Sequence, residues 1–332
     1  MKTAYLDCFS GLSGDMFLGA LLDAGLSLSA LRSALGVLPL DKYRIEAKKE
    51  QRGGITGTKF TLEVMDPDPP PRTFRAIRDM LDRSPLSRTV RERSISVFEL
   101  LAHVEGEIHG TPPEDVHFHE IGAVDSIADV VGSVFGLEAL EIGRLSASPI
   151  PLGSGFAESR HGRIPVPSPA TVALLKDVPV FDSGVRQEMV TPTGAALLKV
   201  FAQSYGPLPP MVIQNVGYGA GSRALPDRPN LVRLIIGQEG LGGGADTVVV
   251  LETNLDDASP EWLGYLMDTL FEAGALDVTF CPVHMKKNRP GVQVQVMARP
   301  EDRERFTEIL FRESTTLGVR FQHVQRTVLP RS

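Results

Sequence analysis

Apolar side chains recur along this chain with periods that change from segment to segment, and those periods predict its elements. Residues 3–8 form a short, mostly apolar run of strand length, and Phe17, Leu18, Leu21 and Leu22 then share a helical stripe that stops at Gly25. Strands are predicted over 43–49 and 58–64, joined as a hairpin through Arg52, Gly53 and Gly54. Pro67, Pro69, Pro70 and Pro71 make 66–72 a surface loop or short extended spacer. Helices are expected over 74–82 and 86–108, the second with Val97, Leu100, Leu101 and Val104 on one side and His109 and Gly110 at its end. There His109 reads first as a cation favoured by the helix C-terminus.

Residues 117–120 are predicted extended, Gly122 turns the chain, and Ile127, Val130, Val131 and Val134 start a helix that continues through Leu137 and Leu140. Residues 148–155 read as a strand end running into a glycine turn. Pro165, Pro167 and Pro169 keep the next loop extended until Ser168 or Pro169 opens a helix over 170–175. Residues 188–195 repeat the strand, loop, helix form of the N-terminus, and Gly217, Gly219 and Gly221 read as a glycine loop before a strand at 231–236. Gly240 and the run Gly242, Gly243, Gly244 then mark a boundary. It sets a larger N-terminal domain, 1–238, and a linker, 239–245, apart from a C-terminal domain, 246–332. Strands at 247–253, 278–283, 292–298 and 319–324 and helices at 260–271 and 301–313 follow, an order βαββαβ that is the ferredoxin-like plan. The fold class expected is α+β, with α/β elements in the N-terminal mixed domain.

Composition narrows the function classes. The 332 residues carry 34 basic and 41 acidic side chains, a net charge of −7, which argues against nucleic acid or an anionic membrane as partner. Cys8 and Cys281, the two cysteines, supply neither a disulfide framework nor a zinc knuckle. The N-terminus turns polar too soon for a signal peptide, and no apolar run approaches the roughly 20 residues of a membrane helix, so a cytoplasmic location is expected.

Candidate chemistry gathers at His117, His119, Glu120, Asp125 and Asp129. In an extended segment the two imidazoles leave from one face, and Asp125 and Asp129 share a helix face. Such a set suits a divalent transition metal. The plainer reading makes Asp125 a helix cap and leaves the other carboxylates solvated. Asp7 and Asp15 flank a Ser/Gly loop between strand and helix, either holding a metal or phosphate site or simply ending the strand and favouring the helix dipole. Thr191 and Thr193 contact a phosphate or cap a helix, and His161 with Arg160 and Arg163 faces an anion or is ordinary surface charge. Near the C-terminus, Lys286, Lys287, Asn288 and Arg289 connect two strands, while Asp256 and Asp257 follow another. Together they suit a nucleotide triphosphate with its divalent ion, or are a solubilising hairpin turn and a loop.

Seven stretches in order resemble the LarC family of nickel-pincer-nucleotide cofactor biosynthesis. They are LDCFSGLSGDM from Leu6, HFHE from His117 with Gly122, Asp125 and Asp129, HGRIPVP from His161, TPTG from Thr191, GYGAG from Gly217, ETNLDD from Glu252 and MKKNRPG from Met285. The resemblance spans nearly the whole chain. It implies a cyclometallase that inserts Ni²⁺ into pyridinium-3,5-bisthiocarboxylic acid mononucleotide, consuming CTP with Mg²⁺ or Mn²⁺, for lactate racemase and related enzymes.

On that resemblance His117 and His119 deliver nickel with Glu120 or Asp125 assisting, and Glu120 or His161 serves as base. Asp256 and Asp257 bind the nucleotide's divalent ion, and Lys286, Lys287 and Arg289 neutralise phosphate. The chain carries only seven histidines, without the histidine-rich insertion common in such chains. Family members usually continue beyond Ser332, so part of the nucleotide domain is expected to be missing or supplied by a separate chain. In that case the protein delivers nickel or serves as a scaffold. Without the resemblance, the His117–Asp129 stretch reads as a metal-dependent phosphohydrolase site. The open edges of a ferredoxin-like sheet suit a homo-oligomer.

Overall fold

The computed structural model describes residues 2–65, 72–116, 118, 124–159, 162–225, 227–239 and 245–327. It is a mixed α/β structure that divides into two compact units, Met1–Glu239 and Gly240–Ser332.

The first unit runs β1 (Lys2–Asp7), α1 (Gly14–Asp23), α2 (Leu28–Gly36), β2 (Tyr43–Arg52), β3 (Ile55–Val64), α3 (Phe74–Asp82), α4 (Arg88–His109) and α5 (Val124–Ala139). It continues through β4 (Ile142–Ala147), β5 (Ile150–Leu152), β6 (Phe156–Ser159), β7 (Gly162–Pro165), α6 (Pro169–Leu174), β8 (Val180–Asp182), α7 (Pro192–Phe201), β9 (Ala202–Tyr205), β10 (Met211–Ala220) and β11 (Leu231–Glu239). Many helices begin where a hydroxyl accepts an early amide. Ser27, Thr73, Ser87, Ser168 and Thr191 each do so, which fixes where α2, α3, α4, α6 and α7 start.

Seven strands form one sheet in the order β2-β3-β10-β11-β1-β4-β9. β3 with β10, β1 with β4 and β4 with β9 are parallel, and the remaining neighbours are antiparallel. Helix α1 packs on β10 and β3, and α5 packs on α1. Phe17, Leu18 and Leu21 of α1 join Val130, Val131 and Val134 of α5 in a single core.

Two expectations are corrected here. Gly217 and Gly219 belong to strand β10, not to a loop. The reason is steric: a Cβ at Gly217 would sit 2.1 Å from the Ala20 carbonyl oxygen, and one at Gly219 would sit 1.8 Å from that of Met16. The glycines let the backbone of α1 rest directly on the strand. The strand expected over 188–190 is a single bridge, Val190 to Leu12. The extended segment expected over 117–120 lies outside the described residues, apart from Phe118.

The second unit runs β12 (Ala245–Leu255), α8 (Pro260–Glu272), β13 (Asp277–Met285), β14 (Arg289–Ala298), α9 (Arg303–Glu313) and β15 (Arg320–Thr327). Its sheet has the order β13-β14-β12-β15 with every neighbour antiparallel. Val249 and Leu251 cluster with Leu263, Leu266 and Leu270 of α8 and with Phe306 and Leu310 of α9, giving this unit its own core.

Candidate functional site

A cavity of about 650 Å³ opens in the first unit. Its walls are the start of α1 (Ser13, Gly14, Asp15), four residues of β3 (Lys59 to Leu62) and the end of α4 (Glu105, Ile108, His109). Phe118, the start of α5 (Asp125, Ser126, Asp129), Ile164 and the start of α6 continue it, and Glu188, the first turn of α7 and Ser222 complete it. Phe60, Leu62, Ile108, Phe118 and Ile164 supply apolar surface, and among the charged types Asp15, Glu105, Asp125, Asp129 and Glu188 outnumber Lys59 and His109.

Position on the helix explains the acidic side. Asp125 and Asp129 stand one turn apart on α5. The Asp129 carboxyl presses on Gly14, where a Cβ would lie 2.6 Å from its Oδ2, and accepts the Asp15 amide at the start of α1. Burial, then the charges of Asp15 and Asp125, push this carboxyl well above the usual carboxylate range, against the pull of Lys59 and the amide. Asp15 is paired with the Lys59 ammonium and also accepts from the Ser13 hydroxyl. Lys59 donates in addition to Ser222 at 2.6 Å. Asp125 is exposed, with Oδ1 accepting the Ser126 amide at 2.8 Å.

The structure thus brings Asp15 and Asp125 to one cavity but sends Asp7 elsewhere. Asp7 faces Arg233 across the β1–β11 pair and takes its guanidinium at 2.5 Å, outside the cavity wall. A shared metal site for Asp7 and Asp15 is therefore not what this geometry builds. Thr191 caps α7, its hydroxyl accepting the Gly194 amide at 3.2 Å, and both it and Thr193 line the cavity. His109 pairs with Glu105 one turn back at 3.3 Å, the place of a helix-terminal cation. His117, His119, Glu120, Arg160 and His161 lie outside the described residues. Lys59 and Ser222 are missed by sequence reasoning, because their neighbours are set by strand pairing and not by spacing.

In the second unit, Arg289 Nη1 donates to Asp256 at 3.1 Å, and Thr315 donates to Asp257 at 2.5 Å. The first contact draws the basic turn between β13 and β14 to the aspartate pair. Lys286, Lys287 and Asn288 are exposed in that turn, and Lys287 and Asn288 both hold φ of 60°. Among the described residues no three His, Cys, Asp or Glu side chains converge as a metal cluster. Two carboxylates still suit Mg²⁺, which keeps waters and takes phosphate oxygens as its other ligands.

An acid-walled cavity in a mixed α/β unit and a βαββαβ unit with a basic turn belong to a chain that known proteins match along its length. The family described as nickel insertion protein matches residues 4–332. A family relative from Syntrophobacter fumaroxidans is 50% identical over 331 residues, covering 100% of this chain and 85% of its own. One from Geobacter sp. strain M21 is 45% identical over 332 residues, covering 100% and 86%. The solved LarC2, the C-terminal domain of a cyclometallase in the synthesis of the lactate racemase cofactor, is 45% identical over 26% of this chain and 60% of its own, with a TM-score of 0.26. The chain belongs to the nickel insertion protein family. Its activity is metal insertion, with Ni²⁺ as the ion inserted. Among the described residues no helix is long and apolar enough to cross a membrane.

Proposed function

We propose that this chain inserts Ni²⁺ into pyridinium-3,5-bisthiocarboxylic acid mononucleotide, in a lyase-class reaction coupled to hydrolysis of CTP to CMP and pyrophosphate. Two nickel–sulfur bonds and one nickel–carbon bond form, and the ring carbon gives up its proton. The observation that carries the reading is the first unit's cavity. Its volume lies within the roughly 300–1,000 Å³ range of small-molecule sites, and it sets an apolar wall for a flat ring against carboxylates that favour cations.

His117 and His119, with Glu120 or Asp125, would pass nickel to the sulfurs, since imidazole and carboxylate ligands suit Ni²⁺. Glu120 or His161 would accept the ring proton. In the second unit, Lys286, Lys287 and Arg289 would neutralise the CTP phosphates, and Asp256 and Asp257 would hold the accompanying Mg²⁺ or Mn²⁺. The metallated product would serve lactate racemase-type enzymes.

The test is incubation of the 332-residue chain with Ni²⁺, Mg²⁺, CTP and the bisthiocarboxylate mononucleotide, followed by mass spectrometry. A nickel adduct together with CMP is the expected result. Nickel binding with neither product would give the reaction to a partner chain and leave this one a nickel-delivery protein.

A further inference from the structure

Two helix starts meet at the cavity, and they differ in what they face. The start of α1 carries Asp15 in its first turn, and the Asp129 carboxyl already accepts the Asp15 amide. Its amide end is thus already taken by an internal carboxyl oxygen. The ten-residue helix α7 has no acidic residue in its first turn. Its start is wedged beside α1, since a Cβ at Gly194 would lie 2.5 Å from the Leu12 carbonyl oxygen and 3.1 Å from Ser13 Cα.

The first turn of α7 lines the cavity through Thr191, Pro192 and Thr193. Thr191 is committed to the cap, and the Met189 carbonyl, four residues before Thr193, accepts the Leu12 amide at 2.9 Å. Thr193 is only 8% exposed, and its amide and hydroxyl have no hydrogen-bond partner among the described residues. On the cavity wall this hydroxyl stands beside an amide at the positive end of a helix, so one anion can accept from both.

We propose that the first turn of α7 is the subsite for the phosphate monoester of a pyridinium mononucleotide, bound by the amide and hydroxyl of Thr193. The inference rests on the substrate reading given above and adds where its phosphate sits. Asp125 on the same cavity disfavours a lone dianion, so the subsite favours a phosphate carried in by the ring and ribose that fill the rest of the cavity. Inorganic phosphate is a poor ligand for it.

Calorimetric titration of the full chain tests this with three probes: nicotinic acid mononucleotide, its riboside without phosphate, and CTP. Wild type is expected to bind the mononucleotide at least about tenfold tighter than the riboside. Thr193→Val should remove about tenfold of that preference, leaving riboside and CTP unchanged, while Thr193→Ser keeps it. An unchanged preference in Thr193→Val, or none in wild type, overturns the subsite. So does a variant that weakens CTP in place of the mononucleotide, which would give the site to a triphosphate.

The nickel insertion assay separates the two ideas. Metallation of the bisthiocarboxylate with an unchanged KM in Thr193→Val sinks the subsite and leaves the substrate reading standing. Absence of metallation, with a mononucleotide preference that depends on Thr193, sinks the substrate reading and leaves the subsite standing.

Discussion

The Asp129 carboxyl accepts the backbone amide of Asp15, so an acid on α5 closes the start of α1. Burial outweighs that bond and raises the carboxyl well above its usual range. A raised acid keeps its proton in the folded state after the unfolded chain has lost it. Stability therefore falls as pH rises from about 4 through the raised value, with a slope of at most about 1.4 kcal/mol per pH unit. Asp129→Asn should flatten that slope and become the more stable form at the alkaline end. Urea unfolding midpoints across pH check it, and parallel curves for both proteins would refute it.

Lys59 is the counter-ion of this acidic wall, its side chain only 11% exposed. Lys59→Met leaves Asp15 unpaired and should cost about 2 kcal/mol, below the full cost for a deeply buried pair because Asp15 is partly solvated. It should also drive the Asp129 carboxyl further up, visible by carboxyl ¹³C titration. Lys59→Arg should recover most of the stability.

The glycine seam beneath α1 makes a steric prediction. Gly219→Ala places a methyl 1.8 Å from the Met16 carbonyl oxygen and should cost about 3 kcal/mol or more in thermal unfolding. Gly264→Ala, in α8 with nothing within 4 Å of the new methyl, should add about 0.5–1 kcal/mol to the second unit.

In the basic turn, Lys287 holds a left-handed φ of 60°. Lys287→Gly should gain about 1 kcal/mol by relieving it. If the turn neutralises CTP phosphates as proposed, the same change should weaken CTP several-fold at low salt and less at high salt. A variant that is more stable yet binds CTP equally well would remove Lys287 from that role.

Much of the fold was legible wherever apolar periodicity was strong, as in the Phe17–Leu22 stripe and the helix that ends at His109. The hairpin extends further toward its turn than the alternation indicated, to Arg52 and Ile55, because its polar end is held by ladder bonds rather than by a buried face. Strand β10 was hidden since its glycines answer to a helix packed against it, and β9 because it follows α7 with no break. The family was readable from its ordered motifs, and the nickel insertion match bears it out. At the site, Asp125 and Asp129 could be paired from helix spacing. Lys59 could not be found that way, because only the folded sheet carries it to Asp15.

Main chain touching main chain has a consequence for how this cavity can change. The height and rotation of α1 over β10 are set by atoms that every amino acid shares, with no side chain between them to trim. The jamb that carries Asp15 and meets Asp129 is thus fixed for as long as the glycines stay. The other panels, Lys59 to Leu62 on β3 and Thr191 to Thr193 at α7, present replaceable side chains to the cavity. Retuning this cavity for a different ring or a different metal would proceed by recutting those panels against an unmoving jamb.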